Sequence, residues 1–166
     1  MAQRGHAGCG WVILRGGSTE NPRPFSNYRP NSITDADGTV VAQGYAYLGF
    51  DKVSNNEAEY WALLAGLRKC LSMGIVNIQH MCDSDLVVGY ENGTTRRNFK
   101  LCKYWEVCQR FRSAITNLGG KMVSRHVFRE RNTIADGLAN MAMNKRAPIH
   151  TIPKSNNQLC WYFFLT

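Results

Sequence analysis

Apolar residues along the chain recur with two different periods, and the boundaries between them mark its elements. Cys9–Arg15 (C-G-W-V-I-L-R) is a short apolar run behind a glycine-rich entry, the pattern of a strand. Gly16–Thr34 carries prolines at 22, 24 and 30 and reads as a long loop or insertion, since proline removes ladder donors. Asp35-Ala-Asp-Gly38 is a turn signal, and the alternating stretch Thr39–Phe50 follows, with Gly44 marking a second bend or bulge. The expectation is an antiparallel meander.

Helical spacing takes over at Ser54-Asn-Asn-Glu57, which has the form of a capping box and predicts a helix running to about Gly74. Ala58, Trp61, Leu63, Leu64, Ala65, Leu67 and Leu71 make that helix apolar almost all round, as a central buried helix requires. Ile75–Cys82 predicts a strand and Asp85 to about Tyr90 a short helix. Tyr104, Val107, Cys108, Phe111, Ile115 and Leu118 fall at helical spacing up to the stop at Gly119-Gly120. Met122–Phe128 predicts a last strand, and Thr133 to about Asn144 a last helix with Ile134, Leu138 and Met141 inward. Beyond Lys145 the chain is polar and proline-punctuated, then ends in Cys-Trp-Tyr-Phe-Phe-Leu-Thr, a short docking strand or a frayed end. The order of elements predicts an α/β fold with a mixed sheet and helices on its faces.

Composition narrows the class. At 166 residues with 44% hydrophobic and 19% charged residues, the chain suits one compact domain rather than a disordered tail. No apolar run approaches the roughly 20 residues of a spanning helix, and the N-terminus lacks a signal-peptide core, so no membrane partner and an intracellular location are expected. Six cysteines (9, 70, 82, 102, 108 and 160) form no C-x-x-C pair, which argues for reduced, buried thiols over a disulfide framework or a zinc site.

Charge adds a location. The chain is +8 overall, and between Gly89 and Arg131 ten basic residues (Arg96, Arg97, Lys100, Lys103, Arg110, Arg112, Lys121, Arg125, Arg129, Arg131) face three acidic ones. A charge run is most often a solvated helix face. Clustered Lys and Arg interleaved with Phe99, Tyr104, Trp105 and Phe111 also suit a polyanion, because phosphate backbones reward such clusters through counterion release.

Three acids stand where ordinary structural roles explain them least. Glu59 lies inside the apolar helix, two residues past the capping Glu57 and so on a different face. Asp83 follows a strand, at the carboxyl end where open α/β sheets place ligands. Asp136 falls in the first turns of the last helix. Each alone reads equally as a cap or helix-dipole acid. Together, in a basic protein, they form a set of hard oxygen ligands suited to Mg2+ or Mn2+, and two such ions are the standard device for in-line attack on a phosphodiester. His126, ten residues before Asp136, is the candidate proton relay.

Asn55-Asn-Glu-Ala-Glu-Tyr-Trp-Ala-Leu63, Cys82-Asp-Ser-Asp-Leu-Val-Val88, Arg125-His-Val-Phe-Arg-Glu-Arg-Asn132 and Ala135-Asp-Gly-Leu-Ala139 resemble, in order, the motifs of type 1 ribonuclease H, also found attached to reverse transcriptases. The resemblance covers about Gln3 to Asn144. It implies a five-stranded mixed sheet with strands 1–3 as an antiparallel meander, helices on both faces, and metal-dependent cutting of the RNA strand of RNA–DNA hybrids by a monomeric domain. Residues 1–144 are then the domain and 145–166 a C-terminal tail. Position by position, Glu59, Asp83 and Asp136 match three of the family's four metal-binding acids, and His126 matches its mobile histidine. Asn55 and Asn56 match the pair along the hybrid's minor groove, where the 2′-hydroxyl distinguishes RNA from DNA. Asn132 matches a polar residue before the last acid, and Arg96, Arg97, Lys100 and Lys103 are the expected phosphate contacts.

Two departures accompany the match. The family's first acid, in an Asp-Gly pair on strand one, falls just before Met1, which implies poor metal binding by a chain that begins there. Asp85 stands where the family has a neutral residue near the substrate. Two functions follow: a ribonuclease H working with two Mg2+ or Mn2+ ions, and a catalytically impaired nucleic-acid-binding module using the same cleft.

Overall fold

Strand β1 (His6–Arg15) and strand β2 (Thr39–Phe50) pair antiparallel from His6↔Phe50 to Arg15↔Thr39, with register shifts at Ala7/Gly8 and Ile13/Leu14. The computed structural model describes residues 5–15, 39–50, 53–95, 99–129, 132–146, 150–153 and 160–165. The segment Gly16–Thr34, expected as an insertion, lies outside them, as do Arg96 and Arg97. The bend expected at Gly44 is not there: β2 runs unbroken for 12 residues, and Gly44 pairs opposite Trp11. A glycine tolerates strand geometry when its neighbours supply the packing, so it marks a break only where the ladder also breaks.

Helix α1 (Asn55–Ser72) begins at the expected capping box. The Ser54 side chain accepts from Glu57 N, and the Glu57 carboxylate accepts from Ser54 N at 2.9 Å. Then follow β3 (Asn77–Cys82), α2 (Asp85–Glu91), α3 (Phe99–Asn117), β4 (Lys121–His126) and α4 (Thr133–Lys145). On α3 the buried residues are Leu101, Cys108 and Ile115, whereas Val107 and Leu118, expected inward, are exposed; Met141 of α4 is exposed as well.

Among the described residues the sheet has six strands, against the five expected. Residues 145–166, read from the sequence as a tail, contribute β5 (His150–Pro153) and β6 (Cys160–Leu165), and the strand order is β4-β3-β6-β1-β2-β5. The antiparallel group is therefore completed by the two last strands of the chain, β5 against β2 and β6 against β1. β6 runs antiparallel to β1 (Gly10↔Leu165 to Arg15↔Cys160) and parallel to β3 (Ile78↔Cys160 to Cys82↔Phe164). Its unbroken apolar run, without alternation, is the pattern that a strand at the middle of a two-sided sheet requires.

Alternation along β1 divides the core between the two faces. Cys9, Trp11 and Ile13 pack with Tyr60, Leu63 and Leu67 of α1 and with Cys108 and Ile115 of α3. Val12 and Leu14 face the other way, with Met81, Val127 and Ala135 of α4. On that second face Gly10 lets α4 approach the sheet: a Cβ there would lie 2.7 Å from both Ala139 N and Leu138 Cβ.

A buried polar network ties the first face together. Glu91, whose side chain is fully buried at the end of α2, accepts from Arg112 Nε (2.8 Å), Tyr60 Oη (3.1 Å) and Cys108 Sγ (3.2 Å). Arg112 also donates to Met122 O and Ser124 Oγ of β4. One carboxylate thereby joins three helices, and one guanidinium extends the connection to the sheet.

Candidate metal centre

The capping box fixes where α1 starts, and that start decides where its acids point. Glu57 is spent on the cap, while Glu59 lies on the same side as Leu63 and is 4% exposed, facing the end of β3. At that end β3 gives way to α2, and it is Ser84 that caps α2, its Oγ accepting from Val87 N at 3.2 Å. Asp83 is therefore released from the capping role that was its ordinary explanation. Its side chain is only 10% exposed, and its Oδ1 is buried with no hydrogen-bond partner among the described residues.

Glu59, Cys82 and Asp83 each bring one ligand atom to within 4.8 Å of the others. Cys82 Sγ donates to Glu59 Oε2 at 3.5 Å and accepts from Ser84 N at 3.3 Å. Asp136, in the first turn of α4, is reached through Arg129, whose guanidinium lies 4.0 Å from Asp83 Oδ2 and 3.8 Å from Asp136 Oδ1. So α1 and the carboxyl end of β3 bring Glu59 and Asp83 together, and Asp136 at the start of α4 is linked to Asp83 through the guanidinium the two acids share.

Electrostatics follow from this crowding. Burial raises the Asp83 carboxyl above its ordinary range, against the opposing pull of Arg129. Burial and then the charge of Glu59 push the Cys82 thiol well up, so it is protonated in this arrangement. A hard divalent cation fits this donor set: the carboxyl oxygens of Glu59 and Asp83 converge, and the orphaned Asp83 Oδ1 gains a partner when a cation binds.

The remaining expected residues divide. His126, at the end of β4, has Nε2 3.3 Å from the Asp83 carbonyl and 3.4 Å from Asp85 Oδ1, and its ring meets Phe128 edge-on. Asp85, the unexpected acid, thus holds the histidine at the rim. Asn55 is exposed at the first turn of α1, and Asn56 Oδ1 accepts from Ser84 Oγ at 3.4 Å, which ties Asn56 to the β3–α2 junction. Lys100 and Lys103 are exposed near the start of α3, with Lys103 Nζ 4.8 Å from the Tyr104 ring centre. Asn132 is fully buried before α4, its carbonyl accepting from Asp136 N at 3.1 Å, a placement that anchors the first turn rather than offering a surface contact.

In the sequence Arg129 belongs to a basic run and to one motif, and Cys82 to another motif and to the buried thiols, with nothing linking either to the acids. The signal for Arg129 was its position between His126 and Asp136, where a charged side chain has acids within reach. Nothing in the spacing announced Cys82, since its partner Glu59 is on another element. Among the described residues, no helix is long and apolar enough to cross a membrane.

A family profile described as reverse transcriptase-like matches residues 32–142. Bifunctional protein Rv2228c of Mycobacterium tuberculosis is 34% identical over 133 residues, 80% of this chain and 35% of its own length. Ribonuclease HI of Halobacterium salinarum is 31% identical over 140 residues, 84% of this chain and 58% of its own. The chain thus spans about a third to three-fifths of the curated relatives it matches. Among solved structures, the Halobacterium salinarum RNase H1 superimposes with a TM-score of 0.64 at 29% identity, covering 87% of this chain and 91% of that one. The N-terminal RNase H domain of Rv2228c gives 0.58 at 31% identity, covering 81% and 94%. LC11-RNase H1 in complex with RNA/DNA hybrid gives 0.60 at 24% identity, covering 82% and 98%, a likeness of fold.

Proposed function

The chain belongs to the reverse transcriptase-like family of ribonuclease H domains, and from that premise we propose that it is a metal-dependent endonuclease hydrolysing the RNA strand of RNA–DNA hybrids. The observation that carries this is the convergence of Glu59 of α1 and Asp83 at the carboxyl end of β3, with Asp136 of α4 linked to Asp83 through the Arg129 guanidinium. Glu59, Asp83 and Asp136 would hold Mg2+ or Mn2+, two ions in our assignment. Bound there, such ions would supply an activated water and neutralise charge on the phosphate.

The chain's own side chains supply the rest. Glu59 and Asp83 are held by burial and by the strand end, so they need little reorganisation on loading. His126 lies at the rim with Nε2 donating to the Asp83 carbonyl beside Asp85, and its other ring nitrogen takes or returns the proton of the attacking or leaving oxygen. Asn56, whose Oδ1 accepts from Ser84 Oγ at the same junction, and the exposed Asn55 beside it read the 2′-hydroxyl across the minor groove. Arg96, Arg97, Lys100 and Lys103 hold the phosphate backbone by charge, and their contribution falls with salt.

The test separates cutting from binding. Asp83→Asn is expected to abolish Mg2+-dependent hybrid cleavage while leaving hybrid affinity within about threefold, since one neutralised carboxylate removes no phosphate contact. Cleavage that survives Asp83→Asn overturns the assignment.

One observation favours a second reading, the catalytically impaired binding module. The Arg129 guanidinium stands 4.0 Å from Asp83 Oδ2 and 3.8 Å from Asp136 Oδ1, a counter-charge that competes with a catalytic cation for the same acids. Hybrid binding by the wild-type chain with no cleavage at any Mg2+ or Mn2+ concentration is its expected signature.

A further inference from the structure

The sulfur of Cys82 sits inside a cluster of carboxylates that hard-metal chemistry does not need, and it changes which cations the cluster accepts. Zinc-group ions bind thiolate sulfur at about 2.3 Å and carboxylate oxygen at about 2.1 Å, so sulfur and oxygen ligands on one tetrahedral ion stand about 3.6 Å apart. Cys82 Sγ and Glu59 Oε2 are 3.5 Å apart. The third ligand atom, from Asp83, lies within 4.8 Å of both, on a side chain nine-tenths buried whose Oδ1 has no hydrogen-bond partner among the described residues. The spacing, held by an S–H···O hydrogen bond, is also that of two ligands on one ion, and the unsatisfied buried oxygen beside the convergent ligand atoms points to a cation.

We propose that Glu59, Cys82 and Asp83 form a binding site for a soft divalent cation of the zinc group, three-coordinate from the protein with the fourth position open to water. On binding, a sulfur–metal bond forms as the Cys82 S–H bond breaks, and the proton leaves to solvent. No redox change occurs. Magnesium gains nothing from sulfur, whereas a zinc-group ion does, so the thiol biases the cluster toward the softer ion. A soft cation held there occupies Glu59 and Asp83, and its effect on cleavage rests on the nuclease assignment; the site itself does not.

Cadmium is the probe, because a cadmium–thiolate bond brings an ultraviolet charge-transfer band that magnesium and carboxylates cannot. Titrating Cd2+ into the full chain is expected to raise that band to a plateau, and Cys82→Ser, with the other cysteines intact, is expected to lose the part that saturates first. A band unchanged in a folded Cys82→Ser, or no band in the wild type, overturns the proposal. Should Cys82→Ser fail to fold, Glu59→Gln serves instead: Cd2+ affinity at least tenfold weaker supports the site, and unchanged affinity contradicts it. A Cd2+ band that depends on Cys82 in a chain that cuts no hybrid would sink the nuclease assignment and leave this one standing.

Discussion

Arg129 Nε stands 4.0 Å from Asp83 Oδ2, and the same guanidinium reaches to 3.8 Å from Asp136 Oδ1, so one exposed cation spans acids from the end of β3 and the start of α4. A metal entering between these acids must compete with it. The Arg129 side chain is 67% exposed, which limits such a pair to about 0.5–1 kcal/mol. Arg129→Gln is therefore expected to lower the Mg2+ concentration for half-maximal binding about two- to fivefold, measured by calorimetry, with Arg129→Lys in between. A higher Mg2+ requirement in Arg129→Gln would show that the arginine helps the metal rather than competes with it.

His80, fully buried on β3 with Nδ1 3.0 Å from Ser124 Oγ, makes the fold sensitive to acid. Burial, helped by the nearby charge of Arg112, lowers its pKa from 6.5 to about 3. The unfolded chain takes up a proton as pH falls through 6.5 while the folded chain does not, so stability is intact above 6.5 and is lost from there down toward 3. The slope approaches about 1.4 kcal/mol per pH unit. Urea unfolding is expected to show about 2 kcal/mol less stability at pH 5 than at pH 7 from this group, and His80→Gln is expected to flatten the profile. Parallel pH profiles for the two proteins would remove His80 as the cause.

The Glu91 carboxylate is fully buried and balanced by Arg112. Arg112→Ala strands that charge and is expected to cost about 3–5 kcal/mol. Tyr60→Phe, which deletes one of the hydrogen bonds to the same carboxylate, costs about 1 kcal/mol. Chemical denaturation distinguishes the two, and a cost for Arg112→Ala no larger than for Tyr60→Phe would mean that water reaches Glu91 once the arginine is gone.

β6 is the seam between the two halves of the sheet, antiparallel to β1 on one side and parallel to β3 on the other. Phe163 pairs with Val12 and with Met81, and a proline there removes a ladder donor in a strand bonded on both sides. Phe163→Pro is expected to cost about 3 kcal/mol or more. A proline in the edge strand β5, such as Thr151→Pro, is expected to cost less. Equal effects at the two positions would contradict the strand order.

How much of this was legible depends on distance along the chain. The capping box at Ser54 and Glu57 is local, three residues long, and its residue types state its geometry, so the start of α1 and the direction of Glu59 were readable. Asp83 and Asp136 were readable as candidates because each adjoins an element end. Pairing is not local: Gly10 and Leu165 lie at opposite ends of the chain, and an apolar run declares a strand without declaring its neighbour. β6 therefore read as a short docking strand or a frayed end with no place in the sheet, though its lack of alternation was the trace of a central position. Gly44 misled because glycine weakens a strand on average, and here the register with Trp11 holds. The approach of Cys82 to Glu59 joins α1 to β3 and carried no signal in spacing.

The most direct test of the three-carboxylate centre is a strand-resolved cleavage assay: the full chain with Mg2+ on a hybrid whose RNA and DNA strands carry different labels. The expected result is internal cutting of the RNA strand alone, absent without Mg2+ and absent in Glu59→Gln. Cutting of both strands, or RNA cutting that persists without divalent metal, would contradict the assignment of Glu59, Asp83 and Asp136 as a ribonuclease H centre.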